Sequence, residues 1–438
     1  MADVRPFRGI HYDFTKVSNL SSVVSPPYDV IYSELQDQLY KASPYGIVRI
    51  DFGKTFDTDG PGDNRYTRAR VLYNTWLKEG ILVREEIPTI YYVEEDYEIE
   101  AGRKETRSGF MAAVRLEDAD SGVYMPHEKT LAGPKADRLE LMRACEANLS
   151  PIFSLYDDPG GHIDAKLADW KAGEGDPCCT VRRPDGFHIR MWKVTDQDVL
   201  AAIMQVMKEK SFYIADGHHR YETALKYRNE MRRKLPDYTG DEPWNFTLMY
   251  FVNMHSPGLT VLPTHRAIVG LDSFDSDGFL NNLSKVFDLS EVPEGLAKLK
   301  SMLKALRNKE QAFGLFVKGA SNPWLIRPKN DYDADAMLSS KAPALRQLDV
   351  TLLHTVILEK MLGIDERAQE LQRNLKYIKD SAELAQMVMD GDANVGFLLN
   401  PTPVLMVKQA AEAGEKMPQK STFFHPKLVT GLIINSLR

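Results

Sequence analysis

The stretch Ile214-Ala-Asp-Gly-His-His-Arg-Tyr-Glu-Thr-Ala-Leu225 decides how the rest of the chain is read. An apolar run, SFYIADG, stops at Gly217, and the segment HHRYETALKYRNEMRRK begins a helix at once, growing basic toward its C-terminus as the helix dipole favours. A strand that feeds straight into a helix turns the first backbone amides and the positive helix end outward, where phosphate is a natural guest. His218, His219 and Arg220 occupy that first turn, where positive charge is unfavourable unless an anion compensates it. Arg220 can fork onto a phosphate, and Asp216 can hold a metal ion or orient a histidine. The plain alternative is an Asp N-cap followed by solvated polar residues, for which this density of functional side chains is unusual. Asp216, Gly217, His218, His219 and Arg220 are therefore the candidate nucleotide site, with Asp216 the candidate metal ligand.

Around this turn the chain reads as α/β (α+β). The pair Pro26-Pro27 in SSVVSPPYDVIY forbids a helix, and the spacing of Tyr66, Ala69, Leu72, Tyr73, Trp76 and Leu77 predicts an amphipathic helix over 64–78 ended by Gly80. TIYYVEEDYEIE and SGFMAAVRLE, joined by a turn-forming AGRKE segment, predict a β-hairpin. A helix over 135–148, a buried strand in SPIFSLY, a strand over 187–194 and a helix over 196–210 lead up to the turn. After Pro236 the polar DYTGDEP reads as a linker, and FTLMYFVNM as the start of another α/β unit. That unit would hold strands in GLTVLPTHRAIV, QAFGLFVKG and VGFLLNP, helices over 295–306, 350–362, 381–389 and 407–413, and a closing strand in LVTGLIINSL. Three regions follow: 1–124, an α/β region; 125–235, the core around the turn, with an insertion near 157–196; and 236–438, a C-terminal α/β domain.

Composition limits the function. With 55 Lys and Arg against 62 Asp and Glu the net charge is −7, and no long basic run is present, which argues against nucleic-acid binding. Hydrophobic residues at 43% and charged residues at 27% are ordinary globular usage. No apolar run is long enough to span a bilayer, and the charged N-terminus lacks the pattern of a signal peptide, so a cytoplasmic location and no membrane partner are expected. Cys145, Cys178 and Cys179 form neither a disulfide framework nor a zinc pattern. His354 in LDVTLLH is expected to be a satisfied core histidine, and Tyr28 and Asp29 sit on a rigid loop that suits either binding or an Asx-type turn.

The strand followed by Asp-Gly-His-His-Arg-Tyr and a helix with Ala-Leu resembles the ParB and sulfiredoxin superfamily, above all its ADP-dependent free-serine kinases. The resemblance implies a ParB/sulfiredoxin-like nucleotide-binding core in which the Gly-x-x-Arg turn holds phosphates. The sulfiredoxin cysteine is replaced here by His218 and His219. Those kinases carry Pro-His-Glu with glutamate as general base, matched by MPHEKT at Met125–Thr130; the resemblance thus assigns Glu128 as base beside His127, with His218 and His219 as further catalytic candidates. A helix-start cap is the alternative for His127 and Glu128. Over its whole length the chain resembles the bacterial domain of unknown function family 1015, through RPFRGI, SPPYDVI, HEKT with a following DR, NLSPIFSLY, IADGHHRYETAL, LPTHRAI, LDVTLLH and MPQKSTFFHPKLVTGL.

Two more clusters suit an anion. Lys420, Ser421 and Thr422 in MPQKSTFFHPK offer an ammonium and two hydroxyls, with His425 and Lys427 as further donors; a buried turn anchored by Pro418 and Pro426 is the other reading. His265 and Arg266 in LPTHR read either as an anion contact or as a strand-end salt bridge. The expected function is phosphoryl transfer between a nucleotide, ADP or ATP, and a small hydroxyl metabolite, free serine or phosphoserine first, with Mg2+ neutralising the phosphates. The alternative is a nucleotide-binding switch that acts through protein partners.

Overall fold

In the computed structural model, which describes residues 1–100, 102–128, 130, 132–183, 186–330 and 333–438, the chain is α/β and forms two compact units. The first comprises Met1–Met125, Thr130–Thr260 and Pro426–Arg438; the second comprises Pro126–Lys129 and Val261–His425. Among the described residues no helix is long and apolar enough to cross a membrane.

The first unit is built on a nine-stranded mixed sheet. From one edge its strands run Tyr124–Met125, Phe212–Asp216, Ile152–Tyr156, Phe246–Asn253, Arg103–Arg115, Ile90–Glu100, His188–Val194 and Cys179–Arg182, with Val4–Arg5 paired to Arg103–Arg115. The expected hairpin is present, antiparallel with Tyr91 opposite Met111. Ile152–Tyr156 and Phe246–Asn253 run parallel in the middle, and every residue of Phe246–Asn253 is buried, which explains its unbroken apolar sequence. Phe110 stacks on Phe251 at 5.3 Å between ring centres, and Phe212 meets Phe251 edge-on at 6.0 Å.

Three expectations are corrected. FTLMYFVNM does not open a second α/β unit: it pairs with Arg103–Arg115 and Ile152–Tyr156 in the first sheet, because a strand buried on both faces needs neighbours on both edges. The boundary expected after residue 235 thus falls inside the first unit. LVTGLIINSL gives only the short strand Asn435–Ser436, on Ala147–Asn148, plus single bridges at Thr430 and Ile434. Gly431 at φ 97° interrupts it, and a Cβ there would lie 2.9 Å from the Ile47 side chain. The 157–196 insertion contributes the helix His162–Ala172 and extends the sheet edge with Cys179–Arg182 and His188–Val194.

The second unit carries an antiparallel six-stranded sheet in the order Phe287–Glu291, Trp324–Pro328, Phe313–Val317, Val395–Leu398, His265–Ile268 and Leu375–Ile378. One face is covered by Leu296–Leu306 and Ser381–Met389, whose Leu299, Leu303, Leu384 and Val388 pack into one apolar cluster. A second cluster gathers Phe287, Phe313, Leu353, Val356 and Phe397. The helix expected over 350–362 begins as an α-turn at Asp349–Leu352 and continues as a π-helix over Leu353–Met361, a geometry rare outside functional positions.

Candidate functional site

In the first unit the strand Phe212–Asp216 ends as the sequence predicts, Gly217 turns the chain at φ 94°, and the 17-residue helix His218–Lys234 starts with no side-chain cap. Gly217 is required twice over. Its φ is strained for any other residue, and a Cβ would sit 2.9–3.0 Å from the Arg220 guanidinium, which folds back over the turn. Arg220 donates to Asp216 Oδ2 at 2.7 Å and to the Pro151 carbonyl. Lys427 donates to the other carboxylate oxygen of Asp216. One carboxylate thus faces two cations at the positive end of a long helix. Both cations lie where the anion is expected. His218 is buried in the first turn and His219 is half-buried.

Other sequence motifs converge beside this turn. Arg138, from the DR that follows HEKT, is 7% exposed and donates to the Asp51 carbonyl at 2.8 Å and to its carboxylate at 3.1 Å. The Arg138 guanidinium lies 4.1 Å from the centre of the Tyr28 ring. Burial pushes the Tyr28 hydroxyl up to about 12 and also raises Asp51, against the pull of Arg138 and Arg220 on both groups. A small cavity of about 40 Å³ is lined by Asp51, Arg138, Ser150 and Arg220 together with the apolar Leu141, Met142, Leu149 and Ile152, so the two arginines border one space. Lys135 and Thr130 both bond Glu222 on the same helix, at 2.9 and 2.7 Å.

Both oxygens of Asp216, the candidate metal ligand, meet cations here, and among the described residues no group of three or more His, Cys, Asp or Glu is arranged to hold a metal. A magnesium ion with a nucleotide would take its ligands mainly from phosphate oxygens and water.

The second unit gathers the Pro-His-Glu motif with the MPQKST loop. Met417 donates to the His127 carbonyl at 2.9 Å, Glu128 bridges to Met417, and His127 Nε2 lies 3.2 Å from Thr422 Oγ1. His127 is buried and Glu128 is half-buried, with its charge acting on Tyr377. Lys129 lies outside the described residues. The proposed clamp of Lys420, Ser421 and Thr422 does not converge. Lys420 is exposed at φ 54°, the Ser421 hydroxyl donates to the Pro418 carbonyl at 2.5 Å, and Thr422 supports His127. The loop instead turns its carbonyls onto Arg266, which donates to Lys420 O at 3.1 Å and Gln419 O at 3.4 Å.

His265 and Arg266 form neither a surface anion contact nor a salt bridge. Arg266 is fully buried; it also donates to the Thr264 carbonyl and to His354 Nε2, 3.2 Å away, and its guanidinium lies 4.8 Å from the Tyr377 ring centre. Its partners hold no carboxylate, and burial lowers its pKa to about 10. His265 accepts the Leu399 amide through Nδ1, and burial lowers it to about 4, so it brings no charge to an anion at neutral pH. His354 is the satisfied core histidine expected: Nδ1 bonds Gln369 Oε1 at 2.7 Å, and burial lowers it to about 3.

Arg138 and Asp51 were absent from the sequence-derived site, and Lys427 entered only as a further donor of the C-terminal loop. Their signals were present, since Lys427 closes MPQKSTFFHPK and Arg138 lies in the DR after HEKT, but no spacing rule ties either to Asp216.

Comparison with known proteins places the chain in context. No curated protein matches it. A solved free serine kinase in complex with AMP is 14% identical, with 73% of this chain and 88% of that chain covered at a TM-score of 0.34. A conserved hypothetical protein from Pyrococcus furiosus is 13% identical, covering 75% and 95% at 0.34. SbnI with a C-terminal truncation, from Staphylococcus aureus, is 7% identical, covering 73% and 85% at 0.33. The family model described as Protein of unknown function (DUF1015) matches residues 4–351, and the chain belongs to that family.

Proposed function

We propose that the chain moves a phosphoryl group between a nucleotide, ADP or ATP, and a small hydroxyl metabolite, with free serine the first candidate and phosphoserine dephosphorylation the same chemistry reversed. The observation that carries this reading is the turn at Asp216–Arg220, where a helix start, Arg220 and Lys427 meet at one carboxylate. The phosphates take the first-turn amides of the helix and the two cations; His218 and His219 flank them. Glu128 accepts the hydroxyl proton as the acceptor oxygen bonds to phosphorus and the bond from phosphorus to the leaving nucleotide oxygen breaks. His127, packed on Thr422, positions Glu128. Magnesium, carried in with the nucleotide, would supply charge neutralisation on the phosphates.

The test is calorimetric titration of ADP, ATP and AMP, with nucleotide turnover followed by mass in the presence of serine. Arg220→Ala should weaken nucleotide binding by about 1.5 to 3 kcal/mol, roughly ten- to more than a hundredfold. Unchanged affinity would remove the turn from the reading. A second reading, a switch without turnover, is favoured by one feature: Arg220 and Lys427 are already bonded to Asp216, so a phosphate must rearrange these pairs, which makes the turn a two-state element. Nucleotide binding without serine-dependent turnover would select that reading.

A further inference from the structure

The second unit holds a cavity of about 80 Å³, room for several waters or a ligand of a few heavy atoms. Its wall is the start of the Leu353–Met361 π-helix, the helix Glu366–Glu370, the strand Leu375–Ile378 and the segment 416–419. Three features mark it out from a packing defect. Thr351, 1% exposed, and Tyr377 both line it, and the hydroxyl of each is buried with no hydrogen-bond partner. Two unsatisfied buried hydroxyls in one cavity are costly unless something accepts their protons. Directly behind Tyr377 and His354 stands Arg266, a buried guanidinium held by carbonyls and a neutral imidazole, with no carboxylate among its partners. A buried cation without a counter-ion is costly, and an anion in the adjoining cavity relieves that cost.

We propose that this cavity binds a small monocarboxylate, whose oxygens accept from the Thr351 and Tyr377 hydroxyls while Arg266 supplies the compensating charge. The rim sets the size and charge of the ligand. Lys341 and Lys416 line the cavity together with Glu359, Glu366 and Glu370, a net negative lining that disfavours phosphates and other polyanions. A simple acid and an amino acid both present the required group, and the acidic side chains of the rim suit an ammonium on the outer end of the second. The site shares no residue with the turn at Asp216–Arg220 and does not rest on the phosphoryl-transfer reading.

Saturation-transfer NMR on the full chain, with acetate, glycolate and glycine as probes and no nucleotide present, tests the proposal. At least one probe should bind, and Thr351→Val and Tyr377→Phe, which delete only the hydroxyls, should each weaken it about tenfold or more, with ADP affinity unchanged. A preference for glycine over acetate would identify the ligand as an amino acid, and the reverse a simple acid. A crystal of the unaltered protein soaked in glycolate provides the readout if a variant fails to fold: carboxylate density against Thr351 and Tyr377 supports the site, and ordered water alone overturns it. Failure of all three probes to bind, or variants that bind as well as the parent, would equally overturn it.

Discussion

The two units bury charge in opposite ways. In the first, buried cations sit on carboxylates: Arg107, fully buried, lies 2.6 Å from Glu95 and stacks on Phe153 at 4.7 Å, and Arg138 bonds Asp51. In the second, Arg266 rests on carbonyls and the neutral ring of His354, with no carboxylate partner among the described residues, and the buried His265 is likewise held neutral. A matched pair spends its field on itself, whereas an unmatched cation projects its field outward. Several acids of the first unit are shared by two cations, as Asp137 is by Arg65 and Arg138 and Glu94 by Lys171 and Arg190; Asp216, shared by Arg220 and Lys427, differs from these in standing at the start of a long helix.

The sharpest test falls on Glu128, the proposed base. Glu128→Gln should lower serine-dependent turnover about a hundred- to ten-thousandfold while nucleotide affinity stays within a few-fold. Turnover equal to the parent's, read by mass of the nucleotide products, removes Glu128 from the proposed reaction. Next in size, Glu95→Ala strands Arg107 in an apolar setting and should cost about 3 to 5 kcal/mol in denaturant unfolding. A loss below 1 kcal/mol would mean that the pair contributes little, and the contrast between the units would shrink.

Gly217→Ala should destabilise by about 1 to 2 kcal/mol through its positive φ and should also weaken ADP binding by displacing Arg220. Loss of stability with full ADP affinity would separate the turn's shape from its function. The smallest effect is one of pH. His265 and His354 have pKa values depressed to about 4 and about 3, while the unfolded value is about 6.5. Below pH 6.5 the unfolded chain therefore binds protons that the folded one refuses. Stability is fully present above pH 6.5 and falls with acidification by up to about 1.4 kcal/mol per histidine per pH unit, down to the folded values. Hydrogen-exchange protection in the strands His265–Ile268 and Val395–Leu398, each rate taken relative to the intrinsic rate at the same pH, should fall between pH 6.5 and 4; unchanged protection would show that these rings titrate alike in the folded and unfolded chain.

Much of this was legible because it is local. Asn64, Asp196 and Asp380 each cap the helix that follows through the side chain, and two strand-type runs, TIYYVEEDYEIE and SGFMAAVRLE, joined by the turn-forming AGRKE segment give a hairpin. The misreadings were all of partnership. Lys420–Thr422 carries groups suited to anions, yet those side chains diverge and the backbone carbonyls meet Arg266 instead. FTLMYFVNM is a strand as expected, but which sheet receives it depends on edges supplied by residues 103–115 and 152–156.

By itself the sequence determined the turn: a strand, Gly217 and a helix with Arg220 one turn in, since positive φ and helix initiation are decided within a few residues. Only the tertiary structure decided that Lys427 joins Arg220 on Asp216, that Arg138 takes Asp51, and that Arg266 has no acid. The reason is that a charge has no preferred partner in sequence. Its energy depends on distance and burial, and both are set by which remote segments the cores bring together.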